Sequence, residues 1–113
     1  MWLTALFSFF AGVFGANAIP HFVKGITKEP FPTPFGPSPV VNVVAGWGML
    51  CLAAALINWA KMPDHPLPAA VALSVGALLM ALFHATIGAF GKGGPDRPGP
   101  GAADNKTWVP ASQ

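Results

Sequence analysis

The sequence contains very little charge. It has six basic and four acidic residues among 113, which is 9% of the chain, whereas a soluble domain carries about 25%. The charges are also grouped, so that residues 1–23, 30–60 and 66–91 contain none. This distribution excludes an ordinary soluble domain. The small net charge of +2 gives no basic surface for nucleic acid, which we therefore exclude as a partner.

Cysteine and the residue sets of common active sites are also missing. The single cysteine, Cys51, excludes an internal disulfide and a cysteine-rich metal cluster. The sequence shows no nucleophile–base pair, carboxylate pair, metal-spaced cluster or phosphate-binding loop. Gly91-Lys92-Gly93-Gly94 follows an apolar segment instead of preceding a helix, so we interpret it as a helix stop. We therefore predict a protein that is not an enzyme.

Three long uncharged segments dominate what is present. A helix needs about 20 apolar residues to cross a hydrocarbon core of about 30 Å. We predict an all-α membrane protein with transmembrane helices at about residues 2–22, 40–59 and 68–90. These helices form one domain over residues 1–91, followed by an irregular Gly/Pro-rich tail over residues 92–113. The loop between the first two spans contains five prolines from Pro30 to Pro39, which exclude a helix there and favour polyproline II.

None of the predicted membrane cores contains Asp, Glu, Lys or Arg. Proton-coupled transporters and voltage-responsive proteins depend on such groups inside the bilayer. Small multidrug transporters have a similar length, but they have four spans and a membrane-embedded Glu in the first. We therefore do not expect a drug–proton exchanger of that kind.

The first span could also be read as a signal peptide. Ala16-Asn17-Ala18 resembles a signal-peptide cleavage site, yet no Lys or Arg precedes the apolar run. We therefore expect the first span to be retained.

The flanking basic residues predict the orientation of the chain. With three spans, the Pro-rich loop and the tail lie on the same side of the membrane. The other side has one basic side chain, Lys61. We predict that the N-terminus lies outside, with Trp2 and Trp59 at the outer interface, and that the loop and C-terminus are cytoplasmic. The loop-and-tail side holds Lys24, Lys28, Lys92, Arg97 and Lys106.

Small residues recur every four positions in two of the spans. Helices in lipid associate through close packing and interhelical hydrogen bonds, so such surfaces predict helix contacts, either within or between chains. We expect Phe31 and Phe35 in the loop and Trp108 in the tail to dock on protein or at the lipid interface. The predicted packing residues are Ser8, Gly12 and Ala16 in the first span and Ala77, Ala81, Ala85 and Ala89 in the third.

His84 is the ionisable residue predicted to lie within a span, about two turns from its end. Its ring N–H needs an acceptor in lipid, and we expect it to donate to Asn17, Asn42 or a backbone carbonyl on another helix. Ligation of a haem iron or a bacteriochlorophyll magnesium is the alternative. His21 would be the second ligand of a bis-histidine haem, but a difference in depth of about 7 Å counts against that pair. We predict no cofactor.

Three polar residues, Asn17, Asn42 and Thr86, are expected in the inner half of the membrane. Their interhelical hydrogen bonds would set the rotation of the helices.

One stretch resembles a pattern in uncharacterised small polytopic bacterial membrane proteins. It reads His21-Phe22-Val23-Lys24-Gly25-Ile26-Thr27, continued by Phe31-Pro32-Thr33-Pro34-Phe35 and then by Val41-Asn42-Val43. The resemblance implies a bacterial inner-membrane protein and no particular activity.

Together these features favour an accessory or scaffold subunit of a larger bacterial inner-membrane complex, respiratory or photosynthetic, whose partners are the bilayer and other integral subunits. Two alternatives stay open. One is a homo-oligomeric channel or transporter for a neutral or weakly charged solute. The other is haem or (bacterio)chlorophyll binding through His84.

Overall fold

The computed structural model describes residues 1–87, which form three long α-helices. Helix α1 spans Trp2–Ile26, α2 spans Pro39–Ala60 and α3 spans Pro66–Thr86, and a 3-10 helix at Met62–Asp64 occupies the turn between α2 and α3. Each long helix has the length and apolar composition needed to cross a membrane. The predicted all-α fold with three membrane helices is thus confirmed. Ala89, Trp108 and the predicted tail lie outside the described residues.

Local capping explains where the helices begin and end. The Ser38 hydroxyl accepts a hydrogen bond from the Val41 N–H at 3.2 Å, and Pro39 occupies the first position of α2. Lys61 ends α2 in a left-handed conformation with φ 49°. Helix α1 continues through Pro20 and runs four residues beyond the predicted end of the first span, because Thr27 caps it by donating its hydroxyl to the Val23 carbonyl at 2.9 Å.

The distribution of side chains is the reverse of that in a soluble protein. The buried positions are mostly Gly, Ala, Ser, Thr or Asn, with Leu56 as the large aliphatic exception. Large apolar side chains such as Trp47, Leu79 and Leu82 are exposed along the helices. An apolar exterior over small-residue contacts is what a bilayer environment favours, since lipid solvates apolar side chains and helices gain by close approach.

Helix α1 occupies the centre of the arrangement. Helices α2 and α3 both pack against α1 and barely touch each other. Glycines make both crossings close: a Cβ added at Gly12 would overlap the Leu73 carbonyl of α3, and one added at Gly46 would lie 2.7 Å from the Phe22 backbone nitrogen of α1. These two crossings bring the C-terminal halves of α1 and α3 and the start of α2 together, and the polar residues gather there.

Candidate functional site

His21 of α1 and Asn42 of α2 form a buried pair. The His21 side chain is 7% exposed and Asn42 is fully buried, and the His21 Nδ1 and Asn42 Oδ1 atoms are 2.7 Å apart. The Asn42 Nδ2 group donates to the Phe31 carbonyl at 2.7 Å and to the Ser38 carbonyl at 3.0 Å. Because these carbonyls only accept, they set the orientation of the amide, and its oxygen must accept from His21. His21 therefore carries a proton on Nδ1.

His84 makes the corresponding contact with Asn17 of α1. The Asn17 Nδ2 group donates to the Met49 sulfur at 3.0 Å, and the Asn17 Oδ1 atom lies 2.7 Å from His84 Nε2. The amide oxygen only accepts, so His84 carries its proton on Nε2. Asn17 is thus the hydrogen-bond partner of His84, as one of the alternatives from sequence anticipated. Met49 was not anticipated, and a single methionine in an apolar run gives no signal for this contact.

The two imidazoles and Phe31 form a three-ring cluster. The His21 and His84 ring centroids are 6.5 Å apart, with planes at 77°. The Phe31 ring lies 4.9 Å from His21 and 6.3 Å from His84. From sequence we placed the two histidines about 7 Å apart in depth and argued against a pair. In the structure His84 lies in the last turn of α3, which ends at Thr86, so the two rings are neighbours.

The loop between α1 and α2 is closed on itself, which puts Phe31 into this cluster. The Phe31 N–H donates to the Pro37 carbonyl at 3.1 Å, and the Thr33 hydroxyl donates to the Gly36 carbonyl at 2.6 Å. Phe31 is therefore half-buried against the chain's own histidine. Phe35, at the tip of the loop, is 83% exposed and is free to meet another molecule.

The two histidines border different cavities. His21 lines a cavity of about 310 Å³ together with Met49, Thr33 and Phe35. His84 lines a second cavity, of about 380 Å³, together with Lys24. The first lies between the loop and α2, and the second lies between α1 and α3. Each imidazole thus borders one cavity and bonds to one asparagine.

A larger open groove runs along α1. Its volume is about 410 Å³. Helix α1 forms the floor, and α2 and α3 form the walls because they pack on α1 without closing over it. The groove is lined by Ala11, Gly12, Gly15, Ala16, Ile19, Leu50, Ala53, Ala54, Ile57, Leu73 and Ala77.

The remaining residues predicted from sequence lie in different surroundings. Ser8 is fully buried, and its hydroxyl has no hydrogen-bond partner within residues 1–87. Ala81 borders the His84 cavity and, like Ala85, is exposed. The predicted α3 stripe therefore packs on α1 only in part. The exposed Thr86 hydroxyl donates to the Leu82 carbonyl of its own helix at 2.7 Å, so its hydrogen bond within residues 1–87 stays within α3 and does not join two helices.

The charge near the site lies at its edge. Lys24 of α1 forms an ion pair with Glu29 of the loop. The hydrogen bond from the Lys24 ammonium and its positive charge lower the pKa of the Glu29 carboxyl, while slight desolvation opposes them. Within residues 1–87 no group of three or more His, Cys, Asp or Glu side chains could hold a metal ion. The site therefore offers two imidazoles without carboxylates.

The three-ring cluster and the α1 groove are the two features of this chain that can support a function. Comparison with known proteins gives no functional information on either feature. The chain matches no protein-family model, and neither a curated protein nor a solved structure is significantly similar to it.

Proposed function

We propose that this protein is a non-enzymatic accessory subunit of a larger membrane assembly, and that it receives a transmembrane helix of a neighbouring subunit in the α1 groove. The observation that carries the proposal is the groove itself, in which Gly15 and Ala16 of the central helix stay partly uncovered between α2 and α3. In lipid, helices associate where small residues let their backbones approach. The apolar lining favours a helix over a polar ligand.

The rest of the molecule is consistent with a scaffold. Asn17, Asn42 and both histidines of the cluster bond to one another or to the loop, so they rigidify one end of the bundle. Phe35 at the loop tip presents an exposed aromatic ring at the same end, suited to a second contact with the neighbour. We propose a bacterial inner-membrane host, respiratory or photosynthetic, with the N-terminus outside.

The groove can be tested with a matched pair of glycine substitutions. A Cβ added at Gly15 would meet only the Ala53 methyl group, at 3.9 Å, so Gly15→Leu adds its first carbon without overlap at a position that lines the groove. A Cβ added at Gly48 has nothing within 4 Å, and Gly48 is exposed on α2 outside the groove. Gly48 borders the His21 cavity, so Gly48→Leu controls for the change in helix propensity and hydrophobicity with the added side chain outside the α1 groove.

The measurement is native mass spectrometry of protein extracted gently from its own membranes. We expect the natural chain and Gly48→Leu to appear in one large heteromeric complex, and Gly15→Leu to lose the neighbouring subunits while keeping its helical circular dichroism. Retention of the neighbours in Gly15→Leu would show that the groove is not the interface. A closed set of identical masses would instead support the homo-oligomeric channel and would reject the accessory role.

A further inference from the structure

We propose that the His84 cavity, between α1 and α3, binds one anionic phospholipid, with the lipid phosphate at Lys24 and part of an acyl chain along the apolar wall. The proposal does not depend on the accessory role, because its test needs the single chain and no neighbouring subunit. It rests on three observations: the wall of the cavity is apolar, a lysine lies at its rim, and the rim lies near the ends of both helices.

The wall of the cavity suits a hydrocarbon chain. The cavity has a volume of about 380 Å³, and α1 contributes Ala16, Ile19 and Val23 to its lining while α3 contributes Ala81. From Ala16 to Lys24 the lining covers about 12 Å along the axis of α1, at about 1.5 Å per residue. The short alanine side chains on both helices leave an apolar furrow, which a flexible acyl chain fills without needing any polar partner.

Lys24 gives this apolar cavity a cationic rim. It lines the cavity, and its side chain keeps 41% of its surface exposed although it pairs with Glu29. A lysine ammonium has three N–H donors, so one carboxylate does not use all of them. No acidic residue among residues 1–87 lines the cavity itself. A phosphate oxygen at the rim therefore gains a charge-assisted hydrogen bond from Lys24 with no carboxylate inside the cavity to repel it.

The rim lies at the depth where a phospholipid carries its phosphate. Lys24 is two residues before the end of α1 at Ile26, and His84 is two residues before the end of α3 at Thr86. Because both helices have the length of a membrane span, the apolar wall extends from the head-group level into the hydrocarbon layer. Basic pockets between transmembrane helices at the cytoplasmic face bind anionic head groups in this way, and we propose the same face here.

Native mass spectrometry of the full chain in detergent, titrated with dioleoyl lipids, tests the ligand. We expect one molecule of phosphatidylglycerol per chain, bound at least about fivefold more tightly than phosphatidylcholine with the same tails. Glycerol 3-phosphate, which carries a phosphate without tails, should not displace the lipid. Equal binding of the two lipids would overturn the anionic preference, and displacement by glycerol 3-phosphate would show a site for free phosphate instead of a lipid.

Two matched pairs of variants test the rim and the wall. Lys24→Met should weaken binding of phosphatidylglycerol at least about fivefold, whereas Lys28→Met removes an equal charge nearby, away from the cavity, and should change it less than about twofold. Ala81→Leu fills the cavity from α3 and should also weaken binding, whereas Ala85→Leu adds the same side chain at an exposed position outside the cavity. Equal losses within either pair would overturn the site.

Crosslinking of the natural chain keeps the proposal testable even if a variant fails to fold. The probe is phosphatidylglycerol with a photoactivated diazirine in one acyl chain, close to the glycerol. We expect the label on α1 between residues 16 and 24 and on α3 between residues 81 and 84, with suppression by excess unlabelled phosphatidylglycerol. Label confined to other segments, or label that the excess lipid does not suppress, would overturn the site.

Discussion

At the scale of single residues, two asparagine amides decide the chemistry of the site. Each presents its oxygen to one histidine and its nitrogen to an acceptor elsewhere, which is the Phe31 carbonyl for Asn42 and the Met49 sulfur for Asn17. The amides thereby fix which ring nitrogen carries the proton. The buried Asn42 amide also contributes strongly to stability. Without it, its hydrogen-bond partners would be left unpaired in a region that water does not reach.

Replacing Asn42 should therefore destabilise the fold. Asn42→Ala leaves the His21 N–H and the Phe31 and Ser38 carbonyls without their partner, and we expect the free energy of unfolding to fall by about 2–4 kcal/mol. Asn58→Ala changes an exposed asparagine near the other end of the same helix and should stay within about 0.5 kcal/mol of the natural chain. Reversible unfolding in mixed micelles measures both. Equal stability of the two variants would contradict the bridging role of Asn42.

The Glu29 carboxyl should titrate below its usual range. Its pKa is lowered by the hydrogen bond and the charge of Lys24, so the ion pair is fully formed above the usual pKa of the carboxyl. Its contribution to stability is lost as the pH falls through the lowered pKa. Carbon-13 NMR of the carboxyl against pH measures the titration directly. Lys24→Met should return the pKa toward its ordinary value, whereas Lys28→Met should leave it lowered.

At the scale of the helices, α1 contributes to every interface of the bundle. Its crossing with α3 is made by Gly12 and Gly76, since an added Cβ on either would overlap a backbone carbonyl of the other helix. Its crossing with α2 is made by Gly25 and Gly46, where an added Cβ would overlap Val43 and the Phe22 backbone respectively. Such backbone contacts hold helices together in lipid, where apolar burial gives little. The helix between the two crossings is left uncovered, and this is the floor of the groove.

A single methyl group at the first crossing should separate α1 from α3. Gly12→Ala places a Cβ against the Leu73 carbonyl, so the helices must move apart, and we expect a loss of about 1–3 kcal/mol in unfolding free energy. Gly48→Ala has open space around the new Cβ and should be neutral or slightly stabilising, because alanine is the better helix former. The comparison uses the same micelle unfolding assay. A neutral Gly12→Ala would show that the crossing is loose.

At the scale of the whole molecule, three membrane helices put the two connections on opposite faces of the bilayer. The first connection carries Lys28 and the histidine cluster lies beside it, while the second carries Lys61 and Asp64. The large apolar side chains exposed on the helices would face lipid or neighbouring subunits. The site of the two histidines is therefore expected at one membrane face, the face that the basic residues predict to be cytoplasmic.

Labelling of introduced cysteines tests this topology. In a Cys51→Ala background, which removes the natural cysteine, Lys28→Cys and Asp64→Cys each place one thiol at an exposed position of a connection. We expect a membrane-impermeant reagent added to intact cells to label Asp64→Cys and to reach Lys28→Cys only after the cells are opened. The reversed pattern would invert the orientation. Labelling of both in intact cells would contradict three crossings.

The sequence by itself determined the fold class, because twenty apolar residues without an ionised group have few stable places other than a bilayer. The ends of the helices did not follow from composition. Helix α1 passes Pro20 and continues to Ile26, where the Thr27 hydroxyl caps it by donating to the Val23 carbonyl. Only the tertiary structure decided that His21 and His84 are neighbours. Their separation depends on how α1 and α3 cross, and the crossing is set by glycine contacts between helices distant in sequence.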